Sequence, residues 1–559
     1  MLSRRRLLGS LACAGLLGCR RTTEGPRPES GPRPGAGPTQ LIRANIHTNN
    51  PAQPRAEGML IRDGAILAVA SFAELEQRGA DQVLDWRDST VIPGLTDAHA
   101  HLLGLGQTAE IVDLRGATSI DEILARLREQ APASGWILGR GWDQNLWGGA
   151  MPSAAQLDAA FPDRPVWLRR VDGHAGWANS VVMQLTGIVA GTPNPEGGEI
   201  LRDPTNASAA TGVLIDAAMD VVPVPAPSPA DIERWLAAAC SHAASLGLTG
   251  VHEMGLDSVA HAAFTKLAAN HALPLRVHGY ASESWWTAGL NGLTRARVAP
   301  SDRYALAGVK LYVDGALGSR GAALIKPYAD RPDHSGALMH EPQQFAALVS
   351  AILERGFQVA SHAIGDLGNR TIINAYATAL GARPTPEHRL RVEHAQVLDL
   401  AEIPRMAELG LIASMQPTHA TSDMPWAPAR LGEDRLAGAY AWQRMLNAGV
   451  RLALGSDFPV ERPSPLLGLY AAVTRQDPSG QPSGGWLPDQ RLSIAQAIDG
   501  FTHGAAFAAH RDDHLGMIAP GYRADLTCLR GDPYTVQPQA LPELEVHATM
   551  IDGALTFEG

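Results

Sequence analysis

The chain is predicted to be an α/β protein. It is read as a (β/α)8 barrel with a small β-sandwich made from its N- and C-terminal segments and a domain inserted after barrel strand one. Three observations predict this. From about residue 243 onward, short apolar runs alternate with helical stretches; with the run at 90–95 they reach eight, the number that closes such a barrel. Residues capable of chemistry stand at or just beyond the carboxyl end of run after run, the face on which these barrels carry their sites. Finally, Asp97-Ala98-His99-Ala100-His101 follows the first run, and residues two apart on a strand project to the same side.

Residues 1–19 read as a signal peptide. Ser3-Arg4-Arg5-Arg6 is a basic start, and the apolar run through Leu17 is shorter than the roughly 20 residues of a membrane span. Twin arginines after a serine resemble a twin-arginine export signal. Leu16-Leu17-Gly18-Cys19 resembles a bacterial lipobox, in which the cysteine becomes the lipidated first residue of the mature protein. The expectation is an exported lipoprotein held to a membrane of the cell envelope, on the periplasmic side, through Cys19. Residues 20–40, rich in Gly, Pro and Arg, read as a disordered tether.

The segments 41–89 and 515–559 carry β-like stretches punctuated by Asp63-Gly64 and Asp552-Gly553. Neither is long enough for a core of its own, so the two are expected to pair into one sandwich. The barrel is expected over 90–514, with strands at 90–95, 248–252, 275–280, 307–313, 358–362, 390–394, 412–416 and 451–454. Residues 105–240 are too many for a loop and are read as an inserted domain over the barrel mouth. That insert holds Gly141-Trp142-Asp143, Trp147 and Asp172-Gly173-His174-Ala175-Gly176-Trp177.

A net charge of −11 over 559 residues argues against a nucleic-acid-binding surface. Of four cysteines, Cys13 and Cys19 fall in the signal, leaving Cys240 and Cys528. Two distant cysteines make no disulfide framework. The partner expected is a small-molecule substrate, and a homodimer stays open.

Imidazole is the commonest metal ligand at neutral pH, so the His99/His101 pair supplies half a site. In Gly308-Val309-Lys310-Leu311-Tyr312-Val313-Asp314, alternation places Lys310, Tyr312 and Asp314 on one face. A lysine pointing into a barrel is costly unless paired or neutral. It is either half of a buried Lys–Asp pair or a carbamate that bridges two metals. His362 and His394 end two later strands, and Leu454-Gly455-Ser456-Asp457 ends the last with an aspartate. This N/O donor set suits zinc, as one or two ions, with manganese, iron or nickel open.

His-x-His after strand one, Lys on strand four, His on five and six and Asp on eight resemble the amidohydrolase superfamily. Gly141-Trp142-Asp143, Asp172-Gly173-His174, Asp314-Gly315-Ala316-Leu317-Gly318-Ser319-Arg320, His362-Ala363-Ile364-Gly365-Asp366 and Gly455-Ser456-Asp457 resemble its amidohydrolase-3 branch, which includes N-substituted formamide deformylases. The resemblance implies a metal site of His99, His101, Lys310, His362, His394 and Asp457. It also implies that metal-activated hydroxide attacks the substrate while Asp457 shuttles the proton to the leaving nitrogen. His174 is a second catalytic candidate. Trp142, Asp143, His174, Asp314, Arg320 and His419 are candidates for substrate contact. The expected reaction is hydrolysis of a non-peptide C–N bond in an amide, formamide or cyclic imide. A deaminase, lactonase or phosphoesterase uses the same chemistry, and a non-catalytic metal-binding lipoprotein is the reading of another class.

Overall fold

The computed structural model describes residues 37–559, apart from residues 109, 196, 204, 296–298, 300 and 382–385. The signal peptide, Cys19 and the tether as far as residue 36 lie outside the described residues. Among the described residues, no helix is long and apolar enough to cross a membrane.

The chain opens with strands β1 (Gln40–His47), β2 (Arg55–Arg62), β3 (Ala65–Ala70) and β4 (Gln82–Pro93), and β5 (Leu95–Ala100) follows after one glycine. The insert supplies β6 (Val112–Asp113), β7 (Ile137–Trp142), β8 (Val166–Arg170), β9 (Ala175–Ala178), β10 (Gly198–Asp203) and β11 (Asn206–Asp216). Seven more strands follow: β12 (Leu248–Leu256), β13 (Arg276–Ala281), β14 (Tyr304–Tyr312), β15 (Gln358–Ala363), β16 (Arg391–His394), β17 (Ile412–Met415) and β18 (Arg451–Leu454). The C-terminal segment adds β19 (Leu526–Arg530), β20 (Glu545–Ile551) and β21 (Ala554–Glu558).

Strands β5 and β12–β18 form one parallel eight-stranded sheet in sequential order, the (β/α)8 barrel with additional sheets around it. Its seam joins β5 and β18 just past their ends. Asp457 N–H donates to the His99 carbonyl at 2.7 Å and His101 N–H donates to the Phe458 carbonyl at 2.8 Å. Asp97 locks the same seam by accepting from the Ser456 amide and hydroxyl. Two chemistry-bearing segments are thus fastened to one another by backbone.

The first barrel strand lies five residues later than the run that signals it. Residues 90–93 belong to β4, where Thr90 and Pro93 pair with Leu529 and Leu526 of β19. An apolar run does not say which sheet it joins, and Gly94 separates the two uses. His99 therefore sits inside its strand and His101 one residue beyond it.

The terminal segments pair into one seven-stranded sheet, ordered β21-β20-β19-β4-β1-β2-β3. The sheet folds over, because Met59 and Ile66 near one edge share a core with Leu526 and Met550 near the other. Its tie to the barrel is electrostatic as well as apolar: Arg276 of β13 binds Asp525 at 2.5 and 2.9 Å. The insert is a six-stranded mixed sheet, ordered β10-β11-β9-β8-β7-β6, with its own core around Ile123, Leu127, Val166, Leu168 and Trp177.

Candidate metal centre

Seven side chains meet at the carboxyl end of the barrel. His99, His394 and Asp457 each offer a ligand atom, and the three atoms all lie within 4.8 Å of one another. Asp457 Oδ1 is 3.6 Å from His99 Nε2 and 3.1 Å from His101 Nε2. Lys310 Nζ is 3.3 Å from His99 Nε2. The His362 ring centroid is 4.6 Å from that of His394, and His419 Nε2 is 3.7 Å from Asp457 Oδ2.

Backbone geometry aims two of these groups. In β16, Arg391 and Glu393 point into the barrel, so strict alternation would turn His394 away. His394 and Ala395 instead take φ of +70° and +43°, and Asp457 takes +61°. Positive φ is uncommon for residues with a Cβ and is held only where the surroundings impose it.

The far nitrogens of the imidazoles are anchored, which leaves Nε2 for the centre. His99 Nδ1 donates to Glu393 at 2.6 Å, His101 Nδ1 to the Met254 carbonyl at 2.8 Å, and His394 Nδ1 to Gln416 at 2.8 Å. Such partners fix the tautomer and raise ligand basicity. Arg391 in turn holds Glu393 with two bonds, at 2.7 and 3.1 Å, and both residues are fully buried.

Electrostatics favour the ligand-competent forms. Burial, reinforced by the Lys310 charge, brings His99 down to about 3. Burial and neighbouring charge likewise depress His362 and His394 well below the usual imidazole value. Burial would raise the Asp457 carboxyl, but His99 and His101 hold it well below the usual carboxylate range. Burial lowers Lys310 to about 8, against the pull of Glu393 and Asp457. Among the described residues no carboxylate stands within ion-pair distance of Lys310 Nζ, so the buried Lys–Asp pair is not formed.

The donors fit a bound cation. Asp457 Oδ1, His362 Nε2 and His419 Nε2 are buried without a hydrogen-bond partner, and buried polar atoms seldom stay unsatisfied. Neutral imidazoles, a carboxylate and a partly neutral lysine form the N/O set that zinc and its neighbours bind.

Other predicted residues lie elsewhere. Trp142 is fully buried in the insert core and donates to the Leu168 carbonyl, so it walls no substrate pocket. Trp142→Ala is expected to cost about 3–5 kcal/mol of stability, measured by denaturant unfolding. Asp143 caps a helical turn and binds Arg170 at 2.6 Å. Asp314 is fully buried and accepts three backbone N–H groups, from Ala323, Ile364 and Gly365; it ties loops together instead of contacting substrate. Arg320 is engaged by Asp330 at 2.9 Å. His174 lies in the insert, bonded to Asp216 at 2.8 Å, which raises its pKa. Glu393 and Arg391 are the functional residues that sequence reasoning missed. Their signal was two opposite charges two apart in a strand otherwise read as buried.

The model of the amidohydrolase family matches residues 82–557. YtcJ of Bacillus subtilis is 35% identical over 534 residues, covering 92% of this chain and 98% of that protein. The N-substituted formamide deformylase of Arthrobacter pascens is 28% identical, covering 93% and 98%. A metal-dependent hydrolase from Pyrococcus horikoshii superposes with a TM-score of 0.75 at 29% identity, over 89% of this chain and 99% of that one.

Proposed function

Since the chain belongs to the amidohydrolase family, we propose that it is a metal-dependent hydrolase of a non-peptide C–N bond, in an amide, formamide or cyclic imide. The observation that carries this reading is the convergence of His99, His101, His394 and Asp457, with imidazole nitrogens 3.1 and 3.6 Å from Asp457 Oδ1. The likeness to a protein named N-substituted formamide deformylase supports the choice of bond.

In this reading His99, His101, His362, His394 and Asp457 would hold zinc, as one or two ions. Lys310, unpaired by any described carboxylate and brought down to about 8, is available as an amine for carbamylation, which would make it a further anionic ligand. When bound, the metal supplies Lewis acidity, bringing the pKa of water to about 7 and polarising the scissile carbonyl. Asp457 accepts the proton of the attacking water at Oδ1 and returns it to the leaving nitrogen. Glu393 keeps His99 in one tautomer throughout, and His419 borders the same carboxylate on its Oδ2 side. The twin arginines and Cys19 support export and lipid anchoring as part of the same proposal.

Release of amine from a panel of N-substituted formamides and amides tests this. Activity is expected to fall to background after chelation and to return with zinc. Turnover that survives complete metal removal would contradict the proposal.

A further inference from the structure

The insert carries a pair of charges that the centre does not use. Strands β7 and β8 run parallel with Arg140 directly beside Arg169, so both side chains leave the same face. Like charges placed opposite each other destabilise a sheet, and nearby arginines are neutralised: Arg115 by Asp113 at 2.7 Å, and Arg170 by Asp143 at 2.6 Å and Asp172 at 2.5 Å. This pair is not. Among the described residues the Arg140 guanidinium has no hydrogen bond or ion pair, and that of Arg169 has one bond, to the Gly173 carbonyl at 3.0 Å.

The two guanidinium groups converge on a gap. Gly173 has φ of +79°, and Arg140 Nη2 and Arg169 Nη2 lie 3.5 and 3.6 Å from where its Cβ would stand. Arg140 also lines a cleft with Arg115, Gly141, Val171 and Pro459, and Pro459 is two residues beyond Asp457. Burial and Arg169 disfavour the Arg140 charge, while Asp457 and Asp172 favour it. Arginine's planar fork matches carboxylate and phosphate oxygens.

We propose that Arg140 and Arg169 form an anion-recognition site that selects amide substrates bearing a carboxylate or phosphoryl group away from the scissile bond. The amide rests on the function proposed above; the anion site rests on the arginine pair alone. In a chain of net charge −11, two adjacent cations with no ion-pair partner among the described residues make a local exception that attracts anions.

Calorimetric titration of the zinc-loaded protein with N-benzoylglycine, N-benzoylaminomethylphosphonate and the neutral N-benzoylglycinamide tests this. At least one acid is expected to bind about tenfold tighter than the neutral amide, the scale of one charge-assisted hydrogen bond. The acid preferred identifies the group. Arg140→Gln and Arg169→Gln each remove most of that preference, and Arg140→Lys keeps part of it. Arg169 is exposed, so its substitution leaves the fold intact even if that of Arg140 does not. Equal binding of all three probes, or a preference that survives Arg169→Gln and Arg140→Gln, would overturn the site. Selective binding with no hydrolysis of any probe or panel amide would count against the amidohydrolase reading while leaving the anion site standing.

Discussion

Asp457→Asn is expected to keep the protein folded and metal-loaded while turnover falls by about two to four orders of magnitude, the share attributed to general acid–base catalysis. Asparagine preserves shape and one oxygen donor, and it tolerates the left-handed backbone that position 457 adopts, with φ of +61°. What it loses is a group able to take and return a proton. The carboxylate is well placed for that work. Its Oδ1 lies between His99 and His101, at 3.6 and 3.1 Å. Elemental analysis of the variant separates the two roles of Asp457. Metal content that falls in step with activity would make it a ligand only, and activity within about tenfold of wild type would remove the shuttle.

Arg391→Met is expected to cost about 3–5 kcal/mol in denaturant unfolding, because it strands the buried Glu393 carboxylate. Arg391 is fully buried and also bonds the Ala98 carbonyl at 2.6 Å, Tyr280 at 2.9 Å and Ser414 at 2.9 Å. Its guanidinium and the bond from His99 outweigh burial and keep Glu393 ionised. The double change Arg391→Met with Glu393→Met should recover most of that stability, since apolar replacements of buried pairs are often neutral or better. Metal affinity should nonetheless stay about 10–100-fold weaker, because His99 Nδ1 has lost the partner that orients it. Full recovery of metal affinity in the double variant would show that Glu393 serves packing alone.

The converging histidines, Lys310 and Asp457 were legible because each stands in or at the end of a short apolar run, and parallel barrels gather strand ends on one face. The eight strands were legible for the same reason, with one misplaced. Val91 and Ile92 are as apolar as a barrel strand but pair with Cys528 and Thr527, a long-range choice that no local pattern records. The orientation of His394 was hidden, because alternation along β16 points it outward and only the backbone at +70° brings it back. Glu393 and Arg391 were hidden because the charge pair is satisfied inside the barrel, where composition suggests only apolar residues. Trp142 misled for the opposite reason. It is a candidate for substrate contact in sequence, yet it buries its ring fully in the insert core and spends its indole N–H on a backbone carbonyl.

The most direct test of the account is the metal content, by elemental analysis, of the wild type purified beside a His99→Ala/His394→Ala double variant. The account predicts one or two equivalents of zinc-like metal in the wild type and little in a folded variant, because the site is held by these imidazoles. Equal metal in both proteins, or none in a wild type prepared with metal in excess, would contradict it.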